Sequence, residues 1–209
     1  DSLLPLPPLL PNLKWLEALD PTIDEEMQSY RPSVQERQVY IENRKRILNL
    51  AEVEGVALPN SFVTLTDSFE LQNRIPSCTA CYFDLPSGIM TSPFWPSDKL
   101  IRFLNDQQVC VCWYLYIPHD TSPFVVCSSG AGDNVFLEDI DFSTSPSLRE
   151  DAMHNTLYVA PSFDAFIYRF WIENVIWFKL NFKIPLPLEQ LTYVRIYQPS
   201  FIDPSTLST

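Results

Sequence analysis

Glycine is scarce in this chain, with four residues in 209. A glycine-rich loop that cradles phosphates is therefore excluded, and no such spacing occurs. Basic residues are also few: 14 Lys and Arg stand against 26 Asp and Glu, a formal net charge of −12. Neutralising a phosphate backbone takes Lys and Arg, so nucleic acid is not an expected partner. The acidic excess fits solubility and the steering of a basic partner. Histidine is confined to His119 and His154, neither in a His-Glu-x-x-His nor a nucleophilic-serine context. No apolar run reaches the ~18 residues of a membrane-spanning helix, so no membrane is expected as partner.

Cysteine is present in an odd number, five, spread among apolar neighbours. That is a poor disulfide framework, and the expectation is free, buried thiols in a reducing cytoplasm. Cys78-Thr79-Ala80-Cys81 has the spacing of a metal knuckle or redox pair, and Cys110-Val111-Cys112 could add two thiolates. Zinc knuckles usually space both pairs by two to four residues, with glycine in the turns. Here the second pair is i, i+2 and the glycines are missing, so no metal and no cofactor is expected. A thiol- or zinc-dependent enzyme using Cys78 and Cys81, with His119, is the alternative from a different class.

What is abundant is apolar. Hydrophobic residues make up 46% and aromatics 13%, which excludes general disorder, and the length suits one domain with a full core. Leu3–Pro11 is rich in Leu and Pro, lacks a basic region and reads poorly as a signal peptide. It is expected to be an extended, polyproline-like arm lying on the body or in a partner's groove. Asn12 is read as the cap of a short helix over Leu13–Leu19, stopped by Pro21, with Asp24–Tyr30 as loop or a helical turn. Ser33 and Glu36 form a capping-box pattern before a helix whose apolar residues include Tyr40, Ile47 and Ala51 and which Gly55 ends. Pro59 opens another helix, running to about Phe69.

The centre of the chain reads as strands. Cys81–Leu85 is a candidate first strand, and Phe94 or Trp95 in the loop after it is a candidate for exposure. Ile101–Leu104, Val109–Ile117 and Phe124–Cys127 form an expected three-stranded antiparallel meander. In the second run Val109, Val111, Trp113, Leu115 and Ile117 would share one face, and Cys110, Cys112, Tyr114 and Tyr116 the other. Neither face is charged, so this strand is expected near the sheet centre, covered on both sides. Leu157–Val159 reads as a short strand. Pro161 then opens a helix with an apolar stripe of Phe163, Phe166, Ile167, Phe170, Trp171, Trp177 and Phe178, stopped by Pro185 and Pro187. Leu188–Tyr197 is a last helix or strand.

Two polar clusters are candidate binding sites. Asp106-Gln107-Gln108 breaks the meander; Asp106 is read as closing the hairpin through the backbone two residues on, with Gln107 and Gln108 left for a partner. The glycine-containing stretch Gly130–Asp141 carries Asp133, Glu138, Asp139 and Asp141 around Phe136, an acidic rim with an apolar anchor. No residue is assigned a catalytic role.

Five short motifs occur in order: Leu58-Pro59-x-Ser61-Phe62, Phe103-Leu104-x-Asp106-Gln107-Gln108, Trp113-Tyr114-Leu115-Tyr116, Val125-Val126 and Pro161-Ser162-Phe163-x-x-Phe166. Together they resemble the SUKH superfamily, which includes fungal cell-wall-assembly regulators and bacterial toxin-immunity proteins. The resemblance spans Val56 to Asn181. Family members more often carry Asp with Gly where Gln107 and Gln108 stand. The resemblance implies an α+β fold, a central antiparallel sheet flanked by helices. It also implies a non-catalytic module that binds a protein partner; with this charge, a basic one such as a toxin. The expected organisation is an arm and helices over 1–55, a SUKH-like domain over 56–198 and a tail over 199–209.

Overall fold

In the computed structural model, residues 4–129, 137, 142 and 144–197 are described. Helices α1 (Pro21–Met27), α2 (Val34–Glu54), α3 (Asn60–Asp67) and α4 (Phe69–Gln72) come first. Strands β1 (Tyr82–Phe83), β2 (Met90–Thr91), β3 (Lys99–Asn105), β4 (Cys112–Ile117) and β5 (Phe124–Ser128) come next. Helix α5 (Pro146–His154), strand β6 (Thr156–Ala160), helix α6 (Phe163–Asn181) and helix α7 (Leu188–Tyr197) complete the described elements. The fold is α+β, with one antiparallel sheet ordered β1-β3-β4-β5-β6 and β2 also paired to β3.

Strand β4 sits at the sheet centre and is covered on both faces. Ile101 and Phe103 of β3, Leu115 and Ile117 of β4 and Val125 of β5 meet α3 and α6 in the main core. Phe103 is edge-on to Phe163 at 5.1 Å and to Phe166 at 5.5 Å, and Phe62 meets Phe163 at 5.3 Å. Each fully buried ring of this kind stabilises by about 1.5–3 kcal/mol. On the opposite face Leu100, Cys112, Tyr114, Tyr116 and Val126 pack with Leu137 and with Ala152 of α5.

A bulge between Arg102 and Leu104 shifts the β3–β4 register. Phe103 and Leu104 therefore both reach the main core, while Arg102 and Asn105 share the other face. Arg102 is buried there, bonded to Asp84 at 2.8 Å and to Asn105 at 2.9 Å.

Local signals set several boundaries. Ser33 and Glu36 make the reciprocal capping box at the start of α2, and Gly55 ends it at φ +67°, the left-handed geometry of a helix C-terminus. The Pro-rich arm lies on the body: Leu6 and Leu9 touch the main core, and Pro5 accepts from the Tyr197 hydroxyl at 2.8 Å.

Other expectations are corrected. Asn12 and Leu13 both have positive φ, 56° and 57°, so Leu13–Leu19 is a turn and an irregular segment, not a helix. Leu13 and Leu16 are nevertheless buried, each from the turn. Pro21 starts α1, since its missing N–H costs nothing at a first helical position and Asp20 caps Thr22. Strand β4 begins at Cys112; Val109 has φ +59° and Cys110 is exposed in the turn, so neither extends a strand face. Helix α6 stops before its prolines. Lys183 adopts φ +57° and the Ile184 amide returns to the Lys179 carbonyl at 2.7 Å, a Schellman closure without glycine. Trp177, placed in the apolar stripe, is 45% exposed. Helix α5 was not expected from the sequence.

Candidate functional site

The two ends of the sheet offer contrasting surfaces. At one end β1 borders a cleft of about 570 Å³. Its far wall is the segment Met27–Pro32, the first turns of α2 and helix α4; its floor includes Phe170 of α6. Capping at Ser33 fixes where α2 begins and so where Glu36 and Tyr40, one turn apart, enter the wall. Tyr40 is buried, its ring 5.3 Å from Phe69, and Arg37 lies over the same Phe69 ring at 5.2 Å. The Tyr40 hydroxyl accepts from Gln72 Nε2 at 3.0 Å, and Gln72 also donates to the Leu65 carbonyl at 3.1 Å. Burial pushes the Tyr40 hydroxyl pKa well above its ordinary value, so it remains a protonated donor.

Charges in this cleft are largely engaged. Asp84 is paired with Arg102, and Glu36 accepts from the Ser33 amide at 2.7 Å; the Ser33 side chain and then that amide lower the Glu36 pKa. Arg31 bonds Asp24 through one terminal nitrogen, but its buried Nε has no partner. Gln107, a residue singled out from the sequence, lines this cleft. Gln108 is exposed in the β3–β4 turn and is not part of the cleft lining. Asp106 does close that turn, but to the amide five residues on: Val111 N–H donates to Asp106 Oδ1 at 3.2 Å.

At the other end, β6 presents side chains to solvent. Leu157 is 62% exposed and Tyr158 60%, with Met153 of α5 at 38% beside them. No charged residue occurs between Thr156 and Ala160. Among the described residues no strand pairs with the outer edge of β6. The register slip between Val125 and Val126 leaves Val159 out of the β5 ladder, a bulge that twists this edge.

The cysteines do not assemble. Cys78 and Cys110 are exposed, Cys81 and Cys127 half-buried, and Cys112 alone fully buried, which corrects the expectation of uniformly buried thiols. All five are free. Cys81 packs toward the main core and Cys112 toward the opposite face, so the sheet keeps the two pairs apart. Desolvation raises the Cys78 thiol pKa, and the neighbouring Cys81 adds to it, the reverse of what activates a nucleophile. Among the described residues no group of three or more His, Cys, Asp or Glu could hold a metal ion. His119 and His154 are both exposed. Asp133, Phe136, Glu138, Asp139 and Asp141 lie outside the described residues.

Sequence reasoning missed Arg31, the Tyr40 hydroxyl and the exposure of Leu157 and Tyr158. The last had no signal in its own stretch: an uncharged apolar run reads as a buried strand, as it does for β4. Among the described residues no helix is long and apolar enough to cross a membrane. Scanned against protein-family models, curated proteins and solved structures, the chain matches none of them.

Proposed function

We propose that this chain is a non-catalytic protein-binding module of the SUKH kind that its motifs resemble, acting as an immunity or regulatory protein. The observation that carries the reading is the β6 edge, where Leu157 and Tyr158 stand exposed on a strand with one side unpaired among the described residues. Proteins normally protect such edges with charges, and an apolar one is a ready template for another chain. Tyrosine suits an interface, being large, stiff and polar at its tip. A basic partner matches the net charge of −12, and its association slows as salt rises. The alternative, an enzyme using Cys78 and Cys81, is disfavoured by the raised Cys78 pKa.

The test is affinity purification with the tagged chain from its source cells, then reconstitution with the purified partner. The expected result is direct binding that Leu157→Lys and Tyr158→Lys each abolish. Recovery of a metabolite with no protein partner would overturn the proposal.

A further inference from the structure

The segment Leu4–Pro11 lies on its own chain in the way a bound ligand would. Four of its eight residues are proline and have no N–H to donate. A polyproline-II chain makes no internal hydrogen bonds and turns once every three residues. Burial follows that period: Leu6 and Leu9 are half-buried against the main core, and the other six residues are exposed. The carbonyls of such a chain are free to accept from outside, and α6 and α7 supply two donors. Arg169 Nη2 donates to the Leu4 carbonyl at 2.5 Å, and the Tyr197 hydroxyl donates to the Pro5 carbonyl at 2.8 Å.

Both donors are held in place by contacts in which the segment has no part. The Arg169 guanidinium lies 4.6 Å over the Tyr197 ring and donates from Nη1 to the Tyr193 hydroxyl at 3.3 Å. That hydroxyl donates in turn to Glu173 at 2.6 Å. Tyr193 and Tyr197, one turn apart on α7, have their rings 4.7 Å apart. The seat is only partly filled. Beside the segment a cleft of about 580 Å³ opens toward the starts of α3 and α6, at Pro59, Ser61, Pro161 and Ala165. Among the described residues, Leu4–Pro11 makes two hydrogen bonds to the helices and none to the sheet. Such a shallow hold can be taken over by another segment of the same pattern.

We propose that this α6–α7 face is a docking groove for proline-rich segments, occupied here by the chain's own Leu4–Pro11. A partner protein binds by putting in its place a segment whose prolines and leucines recur every third residue. An aromatic platform with donors aimed at backbone carbonyls is how polyproline-II ligands are generally held. The groove is separate from β6 and does not depend on the β6 reading.

The probe is a fluorescent synthetic peptide, Leu-Pro-Leu-Pro-Pro-Leu-Leu-Pro, titrated against the full 209-residue chain. In the parent the tethered segment competes at an effective concentration on the order of millimolar, so the peptide binds weakly. Leu6→Asp with Leu9→Asp unseats the segment and should tighten peptide binding at least about tenfold, because the competent fraction rises. In that background Tyr197→Phe and Arg169→Met each remove one donor and should weaken binding again about tenfold. A peptide of the same composition with its leucines out of the three-residue spacing should not bind. Circular dichroism checks folding; if the double Asp variant does not fold, Leu6→Ala with Leu9→Ala replaces it. No binding to the unseated chain, or binding insensitive to both donor changes, overturns the groove. Parent dimers that grow with concentration and vanish on unseating would give the groove to a second copy and overturn its assignment to a partner. Binding lost on Tyr158→Lys instead would also overturn the groove, while leaving protein binding through β6 standing.

Discussion

The two edges of one sheet have opposite designs. The β1 edge is recessed: α2, α4 and the Met27–Pro32 segment wall it in, and a half-buried ion pair, Arg102–Asp84, holds its end in place. The β6 edge is bare, with Leu157 and Tyr158 in solvent. Both strands are short, five residues for β6 and two for β1. Neither carries a charged residue, so strand composition does not make the difference. It comes from what packs next to each strand. An edge enclosed by helices is shielded from further pairing. An open apolar edge binds through area and backbone pairing.

The largest expected effect strikes both edges together. Trp171 is buried in α6 as part of the main core, its ring 5.5 Å from Trp15 and 5.8 Å from Tyr168. Trp171→Ala should cost about 3–5 kcal/mol in urea denaturation, the range for deleting a large buried aromatic. Its Nε1 has no hydrogen-bond partner, so Trp171→Phe should cost distinctly less. A loss below about 1 kcal/mol for the alanine variant would assign the residue to a surface.

The next separates the edges. Asp84→Ala removes one of the partners of the buried Arg102, which keeps its bond to Asn105, and should cost about 1–2 kcal/mol, while Asp84→Ala with Arg102→Met should recover part of that. Hydrogen exchange should accelerate around β1 and not around β6. Equal acceleration at both ends would mean that the sheet opens as one unit and that the edges are not independently supported.

A smaller effect touches the cleft wall alone. Ser33→Ala should cost about 1 kcal/mol through lost capping, read from thermal melts and from amide exchange in the first turn of α2. It also has a pH signature. The lowered pKa of Glu36 means that its contribution is present above its unfolded value and is lost as pH falls through the folded value. Stability of the parent should therefore decline in acid more than that of Ser33→Ala, with the gap narrowing at low pH to the part due to the Glu36 N–H bond to Ser33 Oγ, which does not titrate. Parallel curves would show that the carboxylate adds nothing to the cap.

The smallest effect on stability is expected where the effect on binding is greatest. Leu157→Lys and Tyr158→Lys alter exposed side chains and should shift stability by no more than about 0.5 kcal/mol. A loss of several kcal/mol would mean that these residues are covered in the folded chain.

What the sequence determined by itself was local or periodic. Ser33 and Glu36 lie three residues apart, and Gly55 needs no neighbour to turn left-handed, so the limits of α2 are written within a few residues of each end. The meander followed from β-branched and aromatic runs separated by polar turns, and the uncharged faces of β4 placed it at the centre. Tertiary structure decided whatever depends on a distant neighbour. Pro21 can end one helix or begin another, and its surroundings make the choice: Asp20 caps α1, which buries Ile23 and Met27 with Phe178 of α6. Trp177 fits the periodicity of α6, yet among the described residues no element covers its ring, which is 45% exposed. The cleft draws Arg31, Tyr40, Gln72, Phe83 and Gln107 from five separate stretches, of which Gln107 alone was marked as a candidate within its own stretch. Exposure at β6 and enclosure at β1 are likewise properties of the space beside a strand. Spacing along the chain records which way side chains point, but burial depends on what arrives opposite them.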